Sequence, residues 1–372
     1  MTKKQLIHTP EGVRDIYGQE NKRKLAVQAS IRQSIASFGY ETMQVPTFEY
    51  FDVFSKEVGT TPSRDLYKLI DKDGSTLVLR PDFTPSIARC AAKYFMEENR
   101  PLRLAYEGNT FVNLSHLQGK LKETTQMGAE LIMDGSVEAD AELLAMVVAA
   151  LQATGLRKFQ IAVGHMGYFK GLCEEAGLSD SEESALREAM ASKNMFGARE
   201  LLESYSISED TRKALYEMSD LFGSLQDLSY ARGLTHNEQA RQAVSRLEAL
   251  KALLECYGIS QYVSFDLGML SQYQYYTGIV FKAFTYGIGD AIVKGGRYDR
   301  LLSHFGKDAA AVGFMIIVDD MLEALEHQGI AIAVSKEPVT VTYNRDNFKE
   351  ALAMATSMRN NGQAVIFTKE GQ

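Results

Sequence analysis

Two long segments of alternating apolar and polar residues constrain the fold most strongly. Residues 102–112 read LRLAYEGNTFV and residues 125–133 read TQMGAELIM, with a polar loop between them. Successive side chains of a strand point to opposite faces of a sheet, so this pattern predicts two strands. A loop rather than a crossover helix between them favours antiparallel pairing. Similar strand-like segments recur later in the chain, at residues 158–165, 262–270, 276–287 and 289–302.

Helix-like segments alternate with these strands. Val27, Ile31 and Ile35 recur at helical spacing and predict a helix with one buried face. A second helix is predicted to begin after Ser136 as N-cap and to end at Gly155. Strands and helices in this arrangement favour an α+β fold, with an antiparallel sheet flanked by helices.

The sequence predicts one large domain and one small C-terminal segment. Residues 1–330 contain the strands described above, interrupted at about 168–257 by charged, proline-free sequence that predicts an all-helical insertion. Residues 333–372 follow the order strand, helix, strand. One such unit cannot cover both faces of its sheet, so we expect a partial α/β appended domain.

Composition excludes several classes of protein. The net charge of −8 argues against a broad nucleic-acid-binding surface, which needs clustered lysines and arginines. The three cysteines, at positions 90, 173 and 256, have no metal-ligand spacing, so we expect free core thiols, no metal and no cofactor. We recognise no signal peptide and no apolar run long enough to span a membrane. These features predict a cytoplasmic protein.

A cluster of tyrosines raises a question about function. Residues 271–281 read SQYQYYTGIVF, so Tyr273, Tyr275 and Tyr276 lie within four positions. Aromatic residues on a strand are usually core or edge residues. Their hydroxyls can also line a polar pocket, because a tyrosine packs with its ring and hydrogen-bonds with its tip.

Six short stretches occur in the order found in the catalytic domain of histidyl-tRNA synthetases, which the chain resembles over about residues 8–325. These stretches are PEGVRD (10–15), GYETMQVPTFEY (39–50), LRPDFT (79–84), TQMGAE (125–130), QYYTGIVF (274–281) and GGRYD (295–299). The resemblance implies the class II synthetase fold, an antiparallel sheet with helices around it. It also implies a dimer formed through the first helix and a strand, containing Met43 and Val45, that leads to Pro46.

The resemblance implies a histidine-binding pocket. Asp82 and Thr84 match the family's contacts to the ligand ammonium group, although the synthetases usually have a glutamate, one methylene longer, at position 82. Gln126 matches the amide that holds the backbone end of the ligand. Glu130 and Tyr276 match the residues that hold the imidazole. Tyr275 and Tyr298 match residues that line the walls. Each of these residues alone has an ordinary structural explanation, such as a helix N-terminus for Asp82 or a solvated carboxylate for Glu130.

The arginines that bind ATP phosphates in the synthetases are missing from this chain. Val112 and Leu114 stand where the family has an arginine and a glutamate, respectively. Ser271 and Asp320 stand at two further positions where the family has an arginine. Losing one pre-organised donor to a developing anion costs on the order of 10²–10³ in rate. We therefore expect no amino-acid activation. The arginines that remain are expected to form structural pairs; they are Arg80, Arg89, Arg103 and Arg297.

A chain that keeps the pocket residues but lacks the phosphate-binding arginines resembles the regulatory subunits of ATP phosphoribosyltransferase, a family paralogous to the synthetases. This resemblance implies a non-catalytic chain that assembles with a short catalytic subunit, usually as a hetero-octamer, in the first step of histidine biosynthesis. It implies that the chain supports catalysis and conveys feedback inhibition by L-histidine. Two alternatives stay open: an active histidyl-tRNA synthetase, and a different synthetase-like paralogue that binds another metabolite.

Overall fold

A computed structural model of the chain describes residues 7–54, 61–114, 120–223, 225–271 and 275–371. Two compact units divide it, Met1–Ile332 and Ala333–Gln372.

The described residues of the first unit form twelve strands. They are β1 (Glu41–Thr42), β2 (Phe48–Tyr50), β3 (Lys68–Ile70), β4 (Thr76–Leu79), β5 (Leu102–Phe111), β6 (Glu123–Ile132), β7 (Phe159–His165), β8 (Phe222–Gly223), β9 (Val263–Asp266), β10 (Ile279–Thr285), β11 (Val293–Arg297) and β12 (Ala311–Ile317). Nine of them form one sheet in the order β1-β5-β6-β12-β11-β10-β7-β9-β8, and the other three form a small sheet in the order β2-β4-β3.

Ten α-helices accompany these strands in the part of the first unit that the structure describes. They are α1 (Gly18–Ser37), α2 (Thr84–Tyr94), α3 (Val137–Ala153), α4 (Met166–Glu175), α5 (Asp180–Ala191), α6 (Met195–Ser204), α7 (Glu209–Glu217), α8 (Leu225–Gly233), α9 (Glu238–Cys256) and α10 (Val318–His327). The predicted buried face of α1 is confirmed, because Val27, Ile31 and Ile35 are buried. Ser136 caps α3 by accepting a hydrogen bond from the Ala139 amide.

The predicted α+β class is confirmed, with one refinement of the sheet. The pairs β5–β6, β6–β12, β12–β11, β11–β10 and β10–β7 are antiparallel, and they include the two strands predicted first. At the two ends of the sheet, however, β1 pairs with β5 and β9 pairs with β7 in parallel. The large sheet is therefore mixed at its ends and antiparallel at its centre.

The prediction of a strand through Met43 and Val45 is wrong. Only β1, just before these residues, is regular, although the Met43 amide still donates to the Ala105 carbonyl at 2.7 Å. The Val45 carbonyl instead accepts a hydrogen bond from Nη1 of Arg80 at 2.8 Å, which takes it out of the ladder. Pro46 has no backbone N–H to donate to a ladder, which also helps to end the strand.

Helices α4 to α9 account for most of the predicted all-helical insertion. The exception is β8, a two-residue strand that pairs antiparallel with β9 at the edge of the large sheet. The prediction of an entirely helical segment is therefore wrong at this point. Two residues of strand have no detectable alternation, so periodicity could not predict them.

The three cysteines are free, but they are not all in the core. Cys90 and Cys173 are buried as predicted, whereas Cys256 is exposed at the end of α9. Among the helices that the structure describes, none is both long and apolar enough to cross a bilayer.

The second unit has the predicted order of elements: β13 (Val339–Tyr343), α11 (Phe348–Asn360) and β14 (Val365–Lys369). The two strands are parallel, as a crossover through a helix requires. Ala351 and Ala355 of α11 are buried with Val341 of β13. The ring of Tyr343 stacks on that of Phe367 with 4.5 Å between centroids.

Candidate functional site

A cavity of about 1070 Å³ lies against the large sheet. Six of the seven predicted pocket residues line it: Asp82, Thr84, Gln126, Tyr275, Tyr276 and Tyr298. They come from the start of α2, from β6 and from the segments beside β10 and β11. The seventh, Glu130, lies beneath two of them, since its carboxylate accepts hydrogen bonds from Thr84 and Tyr298. The fold thus brings together residues that are up to 216 positions apart in the chain, from 82 to 298.

Both carboxylate oxygens of Glu130 are held in place. Oγ1 of Thr84 donates to Oε1 at 2.9 Å, and the hydroxyl of Tyr298 donates to Oε2. Glu130 pairs with Gly313 across β6 and β12, and a Cβ at Gly313 would lie 1.5 Å from Oε2. A glycine is therefore required at position 313 for the carboxylate to occupy this position.

Burial changes the protonation of Glu130. The side chain is only 1% exposed, and burial raises its pKa to about 8, against the opposing effect of the hydrogen bonds from Tyr298 and Thr84. A carboxyl group with this pKa responds strongly to a nearby cation, because a positive charge favours its ionised form. The site therefore contains a titratable group that can sense the charge of a ligand.

The start of α2 has a structural role as well as a place in the cavity. Oδ1 of Asp82 accepts a hydrogen bond from the Thr84 amide at 3.2 Å, as expected of a residue at a helix N-terminus. Asp82 is half-buried and lines the cavity. The Thr84 hydroxyl is used as a donor to Glu130, so toward a ligand it can act only as an acceptor.

Gln126 lines the cavity and contains an unsatisfied polar atom. The residue is 6% exposed, and its Oε1 has no hydrogen-bond partner among the residues that the structure describes. Buried polar atoms are nearly always hydrogen-bonded, and each exception calls for an explanation. A ligand with an N–H donor at this position supplies one.

The tyrosines are both packed and placed at the cavity. The rings of Tyr275 and Tyr276 lie 4.5 Å apart, and Tyr275 meets Tyr298 edge-on at 5.8 Å. Tyr276 and Tyr298 are buried, whereas Tyr275 is half-buried. Tyr273 lies outside the described residues. The two explanations for these aromatic residues are therefore compatible, since buried rings also form a wall of the cavity.

Three of the four positions at which the synthetases have an arginine or a glutamate also line the cavity. Val112, Leu114 and Asp320 all line it, whereas Ser271 is buried and is not among the lining residues. Burial, together with nearby acidic groups, raises the pKa of Asp320 to about 6. An apolar wall and a carboxyl group cannot donate the hydrogen bonds that a phosphate group needs.

Two arginines that line the cavity were not predicted. They are Arg14, which forms an ion pair with Glu20, and Arg23 on α1. Arg14 belongs to PEGVRD, one of the six stretches that carry the resemblance to the synthetases, but no site residue was predicted in that stretch. For Arg23 the sequence offers no signal, because a polar residue on an amphipathic helix is ordinarily solvated.

The four arginines expected to be structural all have scaffold partners, as predicted. Arg80 donates to the carbonyls of Val45, Pro46 and Asn109. The other three form ion pairs, namely Arg89 with Glu49 at 2.6 Å, Arg103 with Glu142 at 3.0 Å and Arg297 with Asp140 at 2.6 Å. Within the described part of the chain, no group of three or more His, Cys, Asp or Glu side chains is arranged to hold a metal ion.

Comparison with known proteins identifies the family. The sequence matches the histidyl-tRNA synthetase family over residues 12–321. The ATP phosphoribosyltransferase regulatory subunit of Acetivibrio thermocellus is 39% identical over 96% of this chain and 86% of that protein. The chain belongs to the ATP phosphoribosyltransferase regulatory subunit family. The predicted resemblance is thereby confirmed, and the names of the relatives support the predicted regulatory, non-catalytic role.

Solved structures agree with this family and with the fold. A structure described as an ATP phosphoribosyltransferase regulatory subunit/histidyl-tRNA synthetase from Bacillus halodurans C is 34% identical, with a TM-score of 0.90 over 98% of this chain and 93% of that one. Histidyl-tRNA synthetase from a Nostoc species has a TM-score of 0.82 at 20% identity, covering 98% and 86%. At that identity it supports the synthetase-like fold alone.

Proposed function

We propose that this regulatory subunit assembles with a short catalytic ATP phosphoribosyltransferase subunit, is required for its activity, and makes it sensitive to L-histidine. The observation that carries the proposal is a contrast within one cavity. Its polar end, at Gln126 and Glu130, offers contacts to an amino acid. By contrast, Val112 and Asp320 occupy positions at which the synthetases bind phosphate with arginine, although other lysines and arginines line the cavity.

Free histidine fits the polar end by its chemistry. Its ammonium group needs acceptors, which Asp82, the Thr84 oxygen and the unpartnered Oε1 of Gln126 provide. We assign the imidazole to Tyr276 and to the Glu130 carboxyl group, which is reached beside the Tyr298 hydroxyl. Tyr275 completes the wall.

Feedback inhibition is a coupling free energy between this pocket and the catalytic subunit. Histidine must bind more tightly to an inhibited arrangement of the complex than to an active one, ordinarily by about 1–3 kcal/mol. The rate of the catalytic subunit then falls as the pocket fills.

The test is phosphoribosyl transfer to ATP by the short catalytic subunit, with and without this chain and over a range of histidine concentrations. We expect the chain to raise activity and to introduce inhibition by histidine. Gln126→Ala should keep the activation and lose sensitivity to histidine about tenfold, because one hydrogen bond to a charged group is lost. Gln152→Ala is the matched control, since that amide donates to Tyr262 and does not line the cavity. Two folded chains that show neither activation nor inhibition would contradict the proposal.

Two further assays address the alternatives. ATP–pyrophosphate exchange driven by histidine would indicate an active histidyl-tRNA synthetase, and we expect none. A survey of amino acids by calorimetry addresses a different paralogue, because tighter binding of another metabolite than of histidine would favour it.

We also propose that the chain forms a dimer through α1 and the segment leading to Pro46, and that two such dimers join the catalytic subunits in a hetero-octamer in the cytoplasm. An exposed apolar face just beyond Pro46 supports self-association. Phe48 and Tyr50 of β2 are 57% and 60% exposed, and Tyr50 lies in register with Leu77, which pairs with the exposed Leu69. A contiguous exposed apolar patch of this kind is typical of an interaction site.

Sedimentation measures this assembly directly. Tyr50→Asp should shift the isolated chain from dimer to monomer, whereas Tyr286→Asp, at another highly exposed tyrosine, should not. Equal sedimentation of the two variants as dimers would exclude this face.

A further inference from the structure

A second cavity, of about 300 Å³, lies away from the proposed histidine pocket. Its walls are the strands β7, β9 and β10, the chain just after α5 and the loop that follows β9. It shares no lining residue with the larger cavity. Its volume is at the lower end of the range for small-molecule sites, about 300–1,000 Å³.

Two lysines and one aspartate give this cavity a net positive charge. Lys193 and Lys282 line it, and within the described part of the chain neither ammonium group makes a hydrogen bond or an ion pair. The Asp266 carboxylate accepts hydrogen bonds from the backbone amides of Gly268 and Met269, so it is already occupied. Two positive charges against one negative charge leave one net positive charge.

Lys282 has charges of both signs around it but forms no ion pair within the described part of the chain. Burial lowers the pKa of Lys282, and the nearby Lys294 and Lys193 lower it further, while Asp290 and Asp266 act in the opposite direction. Ser264 lies on β9, which β7 separates from β10, and it is in register with Lys282 through Ala162 of β7. Its buried Oγ has no hydrogen-bond partner among the described residues. An ammonium group and a free hydroxyl in one cavity are complementary to a carboxylate.

The rest of the lining is mainly apolar and is held in place. Met190, Ala162, Met269, Leu270 and Phe284 supply it. The loop that carries Met269 lies close against the sheet, because a Cβ at Gly164 of β7 would be 2.7 Å from the carbonyls of Asp266 and Met269. A wall fixed in this way needs little reorganisation when a ligand binds.

We propose that this cavity binds a small organic monocarboxylate. Its carboxylate contacts Lys282 and the Ser264 hydroxyl, with Lys193 at the entrance. Its apolar body lies against Met269, Leu270 and Phe284. One net positive charge matches a monoanion better than a phosphate dianion, and the apolar wall favours a ligand with a hydrocarbon part. The site is separate from the proposed histidine pocket and does not depend on that assignment.

Calorimetric titration of the full chain with benzoate, benzyl alcohol and inorganic phosphate tests this inference. We expect saturable binding of benzoate, with benzyl alcohol and phosphate at least about tenfold weaker, because each lacks either the charge or the apolar body. Lys282→Gln should weaken benzoate binding about tenfold, since a charge-assisted contact is lost. Lys93→Gln, at an exposed lysine of α2 that does not line the cavity, should leave it unchanged.

Two more variants keep the test decisive. Ser264→Ala removes only the unpartnered oxygen and should weaken benzoate binding about threefold or more even if Lys282→Gln fails to fold, as monitored by the thermal midpoint. Gln126→Ala, in the larger cavity, should have no effect. Absence of saturable benzoate binding would overturn the proposal. So would equal affinity in the Lys282 and Ser264 variants, or a loss of binding in Gln126→Ala.

Discussion

The hydroxyl of Tyr298 donates a hydrogen bond to Oε2 of Glu130, and both side chains are almost completely buried. Tyr298 lines the cavity, whereas Glu130 lies behind it. A ligand in this pocket therefore meets a tyrosine whose hydroxyl orientation is fixed by a carboxyl group. Thr84, on the other carboxylate oxygen, is oriented in the same way.

Tyr298→Phe tests this orientation. The substitution keeps the ring and its edge-on contact with Tyr275 but removes the donor to Glu130. We expect histidine affinity to fall about tenfold or more, because hydrogen bonds to charged groups contribute about 1.5–3 kcal/mol. Isothermal titration calorimetry measures the loss. Tyr262→Phe, at a tyrosine that accepts from Gln152 outside the cavity, is the control. Equal histidine affinity in both variants would refute the role of Tyr298.

Histidine affinity should depend on pH through Glu130. The empty site has a Glu130 pKa of about 8, and a hydrogen bond from the ligand imidazole N–H favours the ionised carboxylate. Binding therefore releases a proton below pH 8, so affinity should rise from about pH 6 to about pH 8 and then level off. Calorimetry across this range measures the slope. Glu130→Gln should remove the part of the slope that exceeds the titration of histidine itself, and an unchanged slope would contradict the assignment.

Gly313→Ala should displace Glu130. The new Cβ would lie 1.5 Å from Oε2, so the carboxylate has to leave the hydrogen bond with Tyr298. We expect loss of histidine binding and a lower free energy of unfolding, by about 1–3 kcal/mol for overpacking. Denaturant unfolding and calorimetry measure the two effects. Gly233→Ala is the matched control, because nothing lies within 4 Å of its Cβ position and it does not line the cavity. Unchanged histidine affinity in Gly313→Ala would contradict this prediction, because the packing around Glu130 would then be able to relax.

Asp140→Ala should be the most destabilising of these changes. Asp140 is fully buried on α3 and forms ion pairs with Arg297 and Arg246, both at 2.6 Å. Removing it leaves a buried guanidinium without its partner, which costs about 3–5 kcal/mol in comparable cases. Urea unfolding measures the change. Glu203→Ala removes an exposed pair with Arg199 and should cost less than about 1 kcal/mol. Similar losses in the two variants would contradict this ranking.

Much of the fold could be predicted because its signals are local. The faces of α1, the cap at Ser136 and the alternation in β5 and β6 depend on neighbours in sequence, and each was confirmed. The errors occurred where a distant residue decides the outcome. Arg80 occupies the Val45 carbonyl, and β9 recruits two residues of the helical segment as β8.

The site was only partly accessible from sequence. Family motifs selected the residues around the cavity, but they could not show that Glu130 lies behind Thr84 and Tyr298. Nor could they show that Oε1 of Gln126 lacks a partner, because satisfaction of a buried atom depends on the packed structure. Arg23 was missed for the same reason, since its place at the cavity follows from how α1 packs.

Two groups of residues that line the large cavity come from different elements. Gln126, Thr84 and Tyr298 belong to β6, α2 and the end of β11, whereas Val112 follows β5 and Asp320 belongs to α10. Substitutions at the second group leave the hydrogen bonds of the first intact. Point mutations can therefore abolish turnover in a scaffold of this kind without altering which small molecule it recognises, so that inherited specificity outlasts the inherited reaction.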